Sequence, residues 1–541
     1  MALNLNAPGE LQTTRIQDLP AEVIDDILLL AKPRTSNAWA VSQVCHTWRA
    51  RCMTHFAMWN TVSSQDTIAC LKEALRRSGT HVLRVFILDD ESSNDFARRV
   101  RFVVRVIEKR ILRIESIECD MSGKDLSYAC LGIEFPADTE APALRSVNFT
   151  YADDNALLRI LEDIHAPFIE NVQIDVMSEH IVAASQLWAN STLRSLTLTE
   201  MTTSVTELTE CLKGCKRLQR LSLTHGDFGE APVEEDPPIE LPDLVQLSLA
   251  LQPLDMTQLL DKLDLPRLVA TSFTPSRVNL AGEDWTPAMH PLDEHINALI
   301  RSILRTVAKP LRRRRCDSIH FGSALIVDGT EPSQRPAGYP DNAPIMAFMF
   351  EEGFARQCGL LSFAREVMFG VIAMQSTLRT LDIAVPTVSL RAGWTVERHY
   401  PRCPRAKFAK TESSILADLF TPSLWDDTYS SPLPSLASIK LRCVSDALQP
   451  VAIRAIANCV KRFRDKANHA IDLDITIQEL RGDPNSDESN WELPPDTGND
   501  PQWLQCGIAA SDYETMPRPD LGALEVAGVT TRIRWKGPGD M

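Results

Sequence analysis

One stretch of the sequence carries residue types that could bind zinc. Residues 290–295 read HPLDEH and resemble a helical zinc motif. The two histidines, however, are five positions apart and would lie on different faces of a helix, and Pro291 interrupts the first turn between them. We therefore expect no metal at His290 and His295.

The cysteines are the other candidate nucleophiles and metal ligands. Cys45 stands next to His46, but neighbouring side chains on a helix point apart, so we expect a buried thiol instead of a catalytic dyad. Cys211 and Cys215 lie four positions apart on a predicted helix, yet no second Cys or His pair follows at the spacing of a zinc site. Glycine-rich phosphate loops and the GxSxG nucleophile motif are also missing from the sequence. The sequence therefore predicts a protein without catalytic residues, cofactor or metal.

Charge and hydropathy restrict the expected partners. The 541 residues include 56 Lys and Arg against 72 Asp and Glu, a formal net charge of −16. Such a balance repels phosphate backbones and anionic membranes, and no run of about 18 apolar residues is long enough to cross a bilayer. We expect no nucleic-acid or membrane partner, and a cytoplasmic and/or nuclear location, because the 13 scattered cysteines are typical of a reducing compartment.

The run Arg312–Arg315 is the basic exception in this acidic chain. It follows an apolar helical pattern, so we interpret it as a cap at the C-terminal end of a helix, where cations are favourable. A nuclear-import or nucleic-acid signal is the alternative.

The elements at the N-terminus form a short helical module over residues 16–62. Pro20 suits the first turn of a helix. An apolar stripe at helical spacing is formed by Val23, Ile27 and Leu30, together with Ile24 and Leu28. Pro33 ends this helix, and two more short helices follow. So short a segment does not usually fold alone, so it needs a partner surface or an adjoining domain.

Several pieces of this module resemble an F-box: the Leu-Pro-x-Glu-Val opening at residues 19–23, the Val-Cys-x-x-Trp-Arg core at 44–49, and Met58-Trp59. Residues 42–49 (SQVCHTWR) are especially similar to the F-boxes of mushroom-forming fungi. The resemblance implies docking onto the Skp adaptor of an SCF (Skp–cullin–F-box) ubiquitin ligase, and through it onto the cullin-RING ligase. The adaptor-contacting residues that it implies are Leu19, Pro20, Val23, Ile27, Val44, Cys45 and Trp48. The alternative is that these apolar residues form only the core of an N-terminal cap.

A repeat follows the module. Three apolar residues at positions one, four and six recur with successive starts 25, 24, 25, 26 and 24 residues apart. Amphipathic helical stretches are predicted between the copies, at Ala156–Ile164, Glu179–Trp188, Val205–Leu212 and Met256–Leu263, and upstream at Thr67–Arg77 and Phe96–Lys109. The copies are Leu144/Val147/Phe149, Ile169/Val172/Ile174, Leu193/Leu196/Leu198, Leu218/Leu221/Leu223, Leu244/Leu247/Leu249 and the degenerate Leu268/Thr271/Phe273. Less regular copies flank them: Val82/Val85/Ile87, Ile114/Ile117/Cys119, Cys316/Ile319/Phe321, Leu378/Leu381/Ile383, Leu436/Ile439/Leu441 and Ala470/Leu473/Ile475. The pattern resembles a leucine-rich repeat, which implies an α/β solenoid with a parallel sheet on its concave face.

The predicted order is a flexible N-terminus (1–15), the F-box-like module (16–62), the solenoid (63–480) and an acidic, Pro-rich tail (481–541). The solenoid is most regular over 144–273 and carries insertions over 280–430; downstream of 280, ordinary β-α-β units are an open alternative. In the tail, Trp491, Trp503 and Trp535 either dock back on the scaffold, which we prefer, or serve a partner.

From these elements we expect a non-enzymatic substrate receptor of a ubiquitin ligase, which binds the Skp-type adaptor and an unknown protein substrate. The alternative is a leucine-rich-repeat-like interaction scaffold outside any ligase, with an N-terminal helical cap.

Overall fold

A computed structural model describes the chain in segments separated by gaps. The described residues are 19–30, 35–89, 95–120, 139–150, 164–178, 191–201, 205–224, 237–275, 291–313, 316–321, 324–329, 345–349, 367, 371, 379–384, 437–444, 453–454, 456–458, 460–461, 464, 470–478, 521–524 and 529–536. Contacts divide the chain into two compact units, the N-terminal unit (Met1–Asp243) and the C-terminal unit (Leu244–Met541). Both units combine helices with a mostly parallel sheet, so the mixed α/β class is confirmed.

The helices of the N-terminal unit are α1 (Ala21–Leu30), α2 (Thr35–Ser42), α3 (His46–Thr54), α4 (Ile68–Arg77), α5 (Phe96–Arg110) and α6 (Val205–Lys213). The C-terminal unit contains α7 (Pro253–Lys262) and α8 (Pro291–Arg313). Short 3-10 turns lie at Phe56–Trp59, Ile111–Arg113 and Gly522–Leu524. Among the described helices, none is both long and apolar enough to span a membrane.

The helix predictions between repeat copies agree with these bounds where the structure describes them. Thr67 begins α4 by accepting a hydrogen bond from the Cys70 N–H at 3.3 Å, as an N-cap residue does. Helix α7 starts at Pro253, three residues before the predicted Met256, because proline fits the first helical turn. Helix α8 ends at Arg313, inside the basic run for which a C-terminal cap was predicted. The helix predicted over 156–164 is an exception at its one described residue, Ile164, which begins the short strand Ile164–His165 instead of ending a helix. Its other residues, and the whole helix predicted over 179–188, lie outside the described residues.

The strands of the N-terminal unit are β1 (Thr61–Ser63), β2 (Leu83–Leu88), β3 (Ile114–Asp120), β4 (Thr139–Glu140), β5 (Ser146–Thr150), β6 (Ile164–His165), β7 (Asn171–Ser178), β8 (Ser195–Met201), β9 (Arg220–Thr224) and β10 (Ile239–Glu240). Their main sheet has the order β1-β2-β3-β5-β7-β8-β9, and each neighbouring pair is parallel. Strands β4 and β6 form a separate parallel pair.

The predicted repeat positions become the buried face of this sheet. Every described residue of the copies from Leu144 to Leu223 is buried. The middle position of each copy aligns across four strands, in the order Val147, Val172, Leu196 and Leu221. Because side chains alternate between the two faces of a strand, a repeat in register places one apolar layer against the next.

The C-terminal unit contains strands β11 (Gln246–Ala250), β12 (Leu263–Asp264), β13 (Ala270–Phe273), β14 (Cys316–Phe321), β15 (Ala324–Gly329), β16 (Met346–Met349), β17 (Thr380–Ala384), β18 (Ser438–Val444), β19 (Ile471–Gln478) and β20 (Val529–Lys536). The order β11-β13-β16-β15-β14-β17-β18-β19-β20 departs from chain order at β14–β16. Strand β15 is antiparallel to both of its neighbours, whereas the other pairs with a recorded register are parallel. A simple succession of parallel repeat units therefore does not hold between β13 and β17.

The C-terminal segment returns to the sheet of this unit. Strand β20 pairs in parallel with β19 over eight positions, from Ile471 opposite Val529 to Gln478 opposite Lys536. The backbone of Trp535 lies opposite Ile477, so the predicted docking back of the tail is confirmed at this residue. Trp491 and Trp503 lie outside the described residues.

Candidate protein-docking surface

The helical module folds around a small apolar core. Helix α1 contributes positions one turn apart, and the core continues through α3 and the following 3-10 turn into α4, beyond the predicted limit of the module. Its buried members are Ile24, Leu28, Cys52, Met58, Trp59 and Ala74. Burial raises the pKa of the Cys52 thiol above its ordinary value, which keeps this cysteine protonated and unreactive.

Trp59 is the centre of this core. Its ring is fully buried and meets Trp39 edge-on, with 5.5 Å between the ring centroids. The indole Nε1–H donates a hydrogen bond to the Cys52 carbonyl oxygen at 2.7 Å. The guanidinium carbon of Arg77 lies 4.8 Å from the centre of the same ring, close enough for a cation–π contact. Trp59 therefore stabilises the interior and offers no surface to a partner.

The seven predicted adaptor-contacting residues all keep some solvent exposure. Pro20, Val23 and Val44 are exposed, and the latter two apolar side chains are 41% and 62% accessible. The half-buried members are Leu19, Ile27, Cys45 and Trp48. Leu19 and Trp48 pack partly against the module core, so these two also have a structural role.

Residues of the Val-Cys-x-x-Trp-Arg motif make hydrogen bonds in and around the link between α2 and α3. The Val44 N–H donates to the Val41 carbonyl at 3.2 Å, and the Cys45 thiol accepts from the Trp48 N–H at 3.4 Å, which caps α3. Arg49 donates from Nε to the Ser42 carbonyl at 3.1 Å and so binds the C-terminal end of α2. This tight link leaves the Val44 side chain outside the core. Cys45 therefore acts as a helix cap, and its thiol is only half-buried, so the predicted buried thiol is wrong.

Helices α1 and α3 are joined by an ion pair. Arg51 Nη1 lies 3.1 Å from Asp25 Oδ2, and both side chains are partly exposed.

The apolar side chains of Leu30 and Phe56, which were not among the predicted contacts, are 85% and 50% accessible. Helical spacing identified Leu30 as part of an apolar stripe, but spacing alone does not say which residues of a stripe the rest of the protein covers.

Glu73 on α4 positions Arg77 beneath the module core. Its carboxylate accepts hydrogen bonds from Arg76 Nε at 2.8 Å and from Arg77 Nε at 2.6 Å. Hydrogen bonding from Arg76, followed by that from Arg77, lowers the pKa of Glu73 to about 2.

This pKa predicts how stability depends on pH. A carboxyl group with a lowered pKa stabilises the fold above its ordinary pKa of 4.5, and the effect is lost as the pH falls toward 2. We expect Glu73→Gln to unfold at a lower temperature than the unmodified chain at pH 7, with the gap closing between pH 4.5 and 2. Thermal unfolding at several pH values measures this gap. In an Arg76→Gln background the gap should be smaller and its closure should be complete at a higher pH, because the folded-state pKa of Glu73 rises while the onset near pH 4.5 stays the same. A gap independent of pH in both backgrounds would contradict the assignment.

The other residues considered for chemistry give no site in the described part of the chain. No cluster of three or more His, Cys, Asp or Glu residues there could hold a metal ion. Cys211 lies on α6, but Cys215 lies two residues beyond the end of this helix, so the prediction of both on one helix is wrong for Cys215. The Cys215 thiol is buried and donates to the Cys211 carbonyl oxygen at 3.6 Å. His290 and the side chain of His295 lie outside the described residues.

No protein-family model matches the chain, and no curated protein matches it significantly. The F-box and leucine-rich-repeat resemblances therefore rest on the motifs quoted above.

Proposed function

We propose that the chain is the substrate-recognition subunit of an SCF-type cullin-RING ubiquitin ligase. In this proposal the α1–α3 module binds the Skp-type adaptor, and the repeat region binds a target protein as a leucine-rich-repeat-like solenoid. No catalytic residue is needed, because the receptor accelerates transfer by holding the target close to the conjugating enzyme.

One observation carries the proposal: the F-box-like module keeps aliphatic side chains exposed beside the residues that form its core. On α1, Ile24 and Leu28 are buried while the adjoining Val23 is 41% accessible. On the link between α2 and α3, the Val44 side chain is 62% accessible. Exposed aliphatic side chains on one small module indicate a protein-binding surface, because a partner that covers them gains the free energy of apolar burial.

The repeat region supports the second half of the proposal. The face opposite the buried layer presents short polar side chains in register, such as Asn148, Gln173 and Thr197. These side chains are partly or fully exposed and can donate and accept hydrogen bonds. Such a face suits recognition of a protein target.

The second candidate is an interaction scaffold whose N-terminal helices serve only as a cap. Two contacts favour it: Ala74 of α4 shares the module core, and the fully buried β1 pairs with β2 directly after Trp59. Deleting residues 1–62 does not separate the two functions, because it removes Trp59 and most of β1. Substitutions of exposed residues do separate them.

The test is calorimetric titration of a purified Skp-type adaptor into the full chain. We expect binding, and we expect Val44→Asp to weaken it by roughly 30- to 1000-fold, because an interface residue of this kind contributes about 2–4 kcal/mol. The thermal unfolding midpoint should change little, since Val44 lies outside the core. Leu112→Asp is the matched control: Leu112 is 65% accessible and lies outside α1–α3, so its substitution should leave adaptor binding intact.

Two results would overturn the proposal. If the unmodified chain does not bind the adaptor, the cap function is favoured. If Val44→Asp and Leu112→Asp weaken binding equally, the α1–α3 surface is not the docking site.

A further inference from the structure

A row of cations runs along the outer face of α5. Arg98, Arg101, Arg105 and Lys109 follow one another at intervals of three, four and four residues, and all four are exposed. These intervals place them on one side of the helix over about 16 Å. The opposite side is buried in the N-terminal unit through Val100, Val103, Val104 and Ile107.

Helix stability accounts for Lys109, which lies in the last turn where a cation is favourable, but not for the other three members of the row. Arg98 lies in the first turn, where a positive charge opposes the helix dipole, and that turn contains no acidic residue. Arg105 stands four residues from both Arg101 and Lys109, a spacing at which like charges destabilise a helix. Further cations lie at the end of the helix and after it. The pKa of the Arg113 guanidinium is lowered by burial and then by the positive charge of Arg110.

The row reverses the charge of the protein locally. The chain as a whole carries a formal charge of −16, so a cationic strip of this length is an exception that attracts anions. Three of the four residues are arginines, whose guanidinium groups bind carboxylates through two parallel hydrogen bonds.

We propose that the outer face of α5 binds a short acidic segment of a partner protein, rich in Asp and Glu. The length of the row corresponds to about five residues of extended chain. The acidic surroundings favour a short anion over a long one, because a polyanion that continues past α5 meets the negative charge of the remaining chain.

Two other polyanions fit this face less well. Single-stranded nucleic acid is usually held by aromatic side chains that stack on bases, and the exposed row itself contains no aromatic residue. Insertion into an anionic membrane needs an exposed apolar face, whereas the apolar face of α5 is already buried against the unit. The α5 surface does not depend on the adaptor-docking proposal, which concerns α1–α3.

The test uses the full chain and a fluorescein-labelled hexaglutamate peptide, with binding followed by fluorescence anisotropy at low salt. We expect binding that weakens as salt is added and that falls about tenfold in Arg105→Glu, because the row loses one cation and gains an anion. The same substitution should leave the thermal unfolding midpoint nearly unchanged, because the new carboxylate lies four residues from Arg101 and Lys109 but three residues from Glu108. A loss of affinity without a loss of stability is not what a purely structural role for Arg105 produces.

Arg220→Glu on β9 is the matched control, with the same change of charge at another exposed arginine of the same unit. It should leave peptide affinity within about twofold. If Arg105→Glu disturbs the fold, Arg98→Gln with Lys109→Gln provides a milder removal of charge, and it should also weaken binding.

The proposal fails if both the α5 variants and Arg220→Glu reduce affinity equally, or if the α5 variants leave it unchanged. It is also overturned if a single-stranded oligonucleotide or phosphatidylserine vesicles bind the unmodified chain more tightly than the peptide and lose that binding in Arg105→Glu. The row would then be a phosphate-binding surface.

Discussion

Trp59→Ala is expected to lower the free energy of unfolding by about 3–5 kcal/mol, the range for removing a large buried aromatic side chain. The ring is fully buried, and the substitution removes its edge-on contact with Trp39 and the cation–π contact with Arg77. It also leaves the Cys52 carbonyl oxygen without the indole donor that lies 2.7 Å away. Because the core joins α1 and α3 to α4, the whole helical module should lose stability together.

Denaturant unfolding followed by circular dichroism measures this loss. Trp59→Phe is the matched variant: it keeps an aromatic ring in the core but removes the N–H, so we expect a loss of about 1–3 kcal/mol. Trp48→Ala should be less destabilising than Trp59→Ala, since Trp48 is only half-buried. If Trp48→Ala proves the more harmful change, the assignment of Trp59 as the core residue is wrong.

Leu196→Ala should destabilise the repeat region by about 2–5 kcal/mol. Leu196 is fully buried on β8 and lies in register between Val172 of β7 and Leu221 of β9. Its side chain belongs to the apolar layer that the repeat builds strand by strand, so the truncation opens a cavity between neighbouring units. A closely packed interior relaxes only partly around such a cavity.

Thr197 provides the control for this prediction. It follows Leu196 on the same strand, points to the opposite face and is half-buried, so Thr197→Ala should change stability by no more than about 0.5 kcal/mol. Thermal and denaturant unfolding of the two variants compare the faces directly. Equal losses would mean that β8 is shifted by one residue, because such a shift exchanges its two faces.

The sequence predicted the repeat strands well because their signal is local. The spacing of Leu193, Leu196 and Leu198 expresses alternation within one strand, and the period of 24–26 residues aligns such strands side by side. Strands β15 and β16 were not predicted. Strand β15 pairs antiparallel with β14 and β16, and the repeat period of the sequence does not indicate antiparallel pairing. Strand β20 was missed for a similar reason: its partner β19 ends more than fifty residues earlier in the chain.

By itself, the sequence determined the helices of the N-terminal module and the residues that form their apolar stripes, because helix caps and 3.6-residue spacing act over one or two turns. Only the tertiary structure decided which of those residues are buried. Ile24 and Leu28 are covered because Trp59 and Ala74 reach them from later elements, whereas Val23 and Val44 stay exposed. The exposure that defines both proposed docking surfaces, on α1–α3 and on α5, depends on contacts between distant residues, and a local pattern does not contain them.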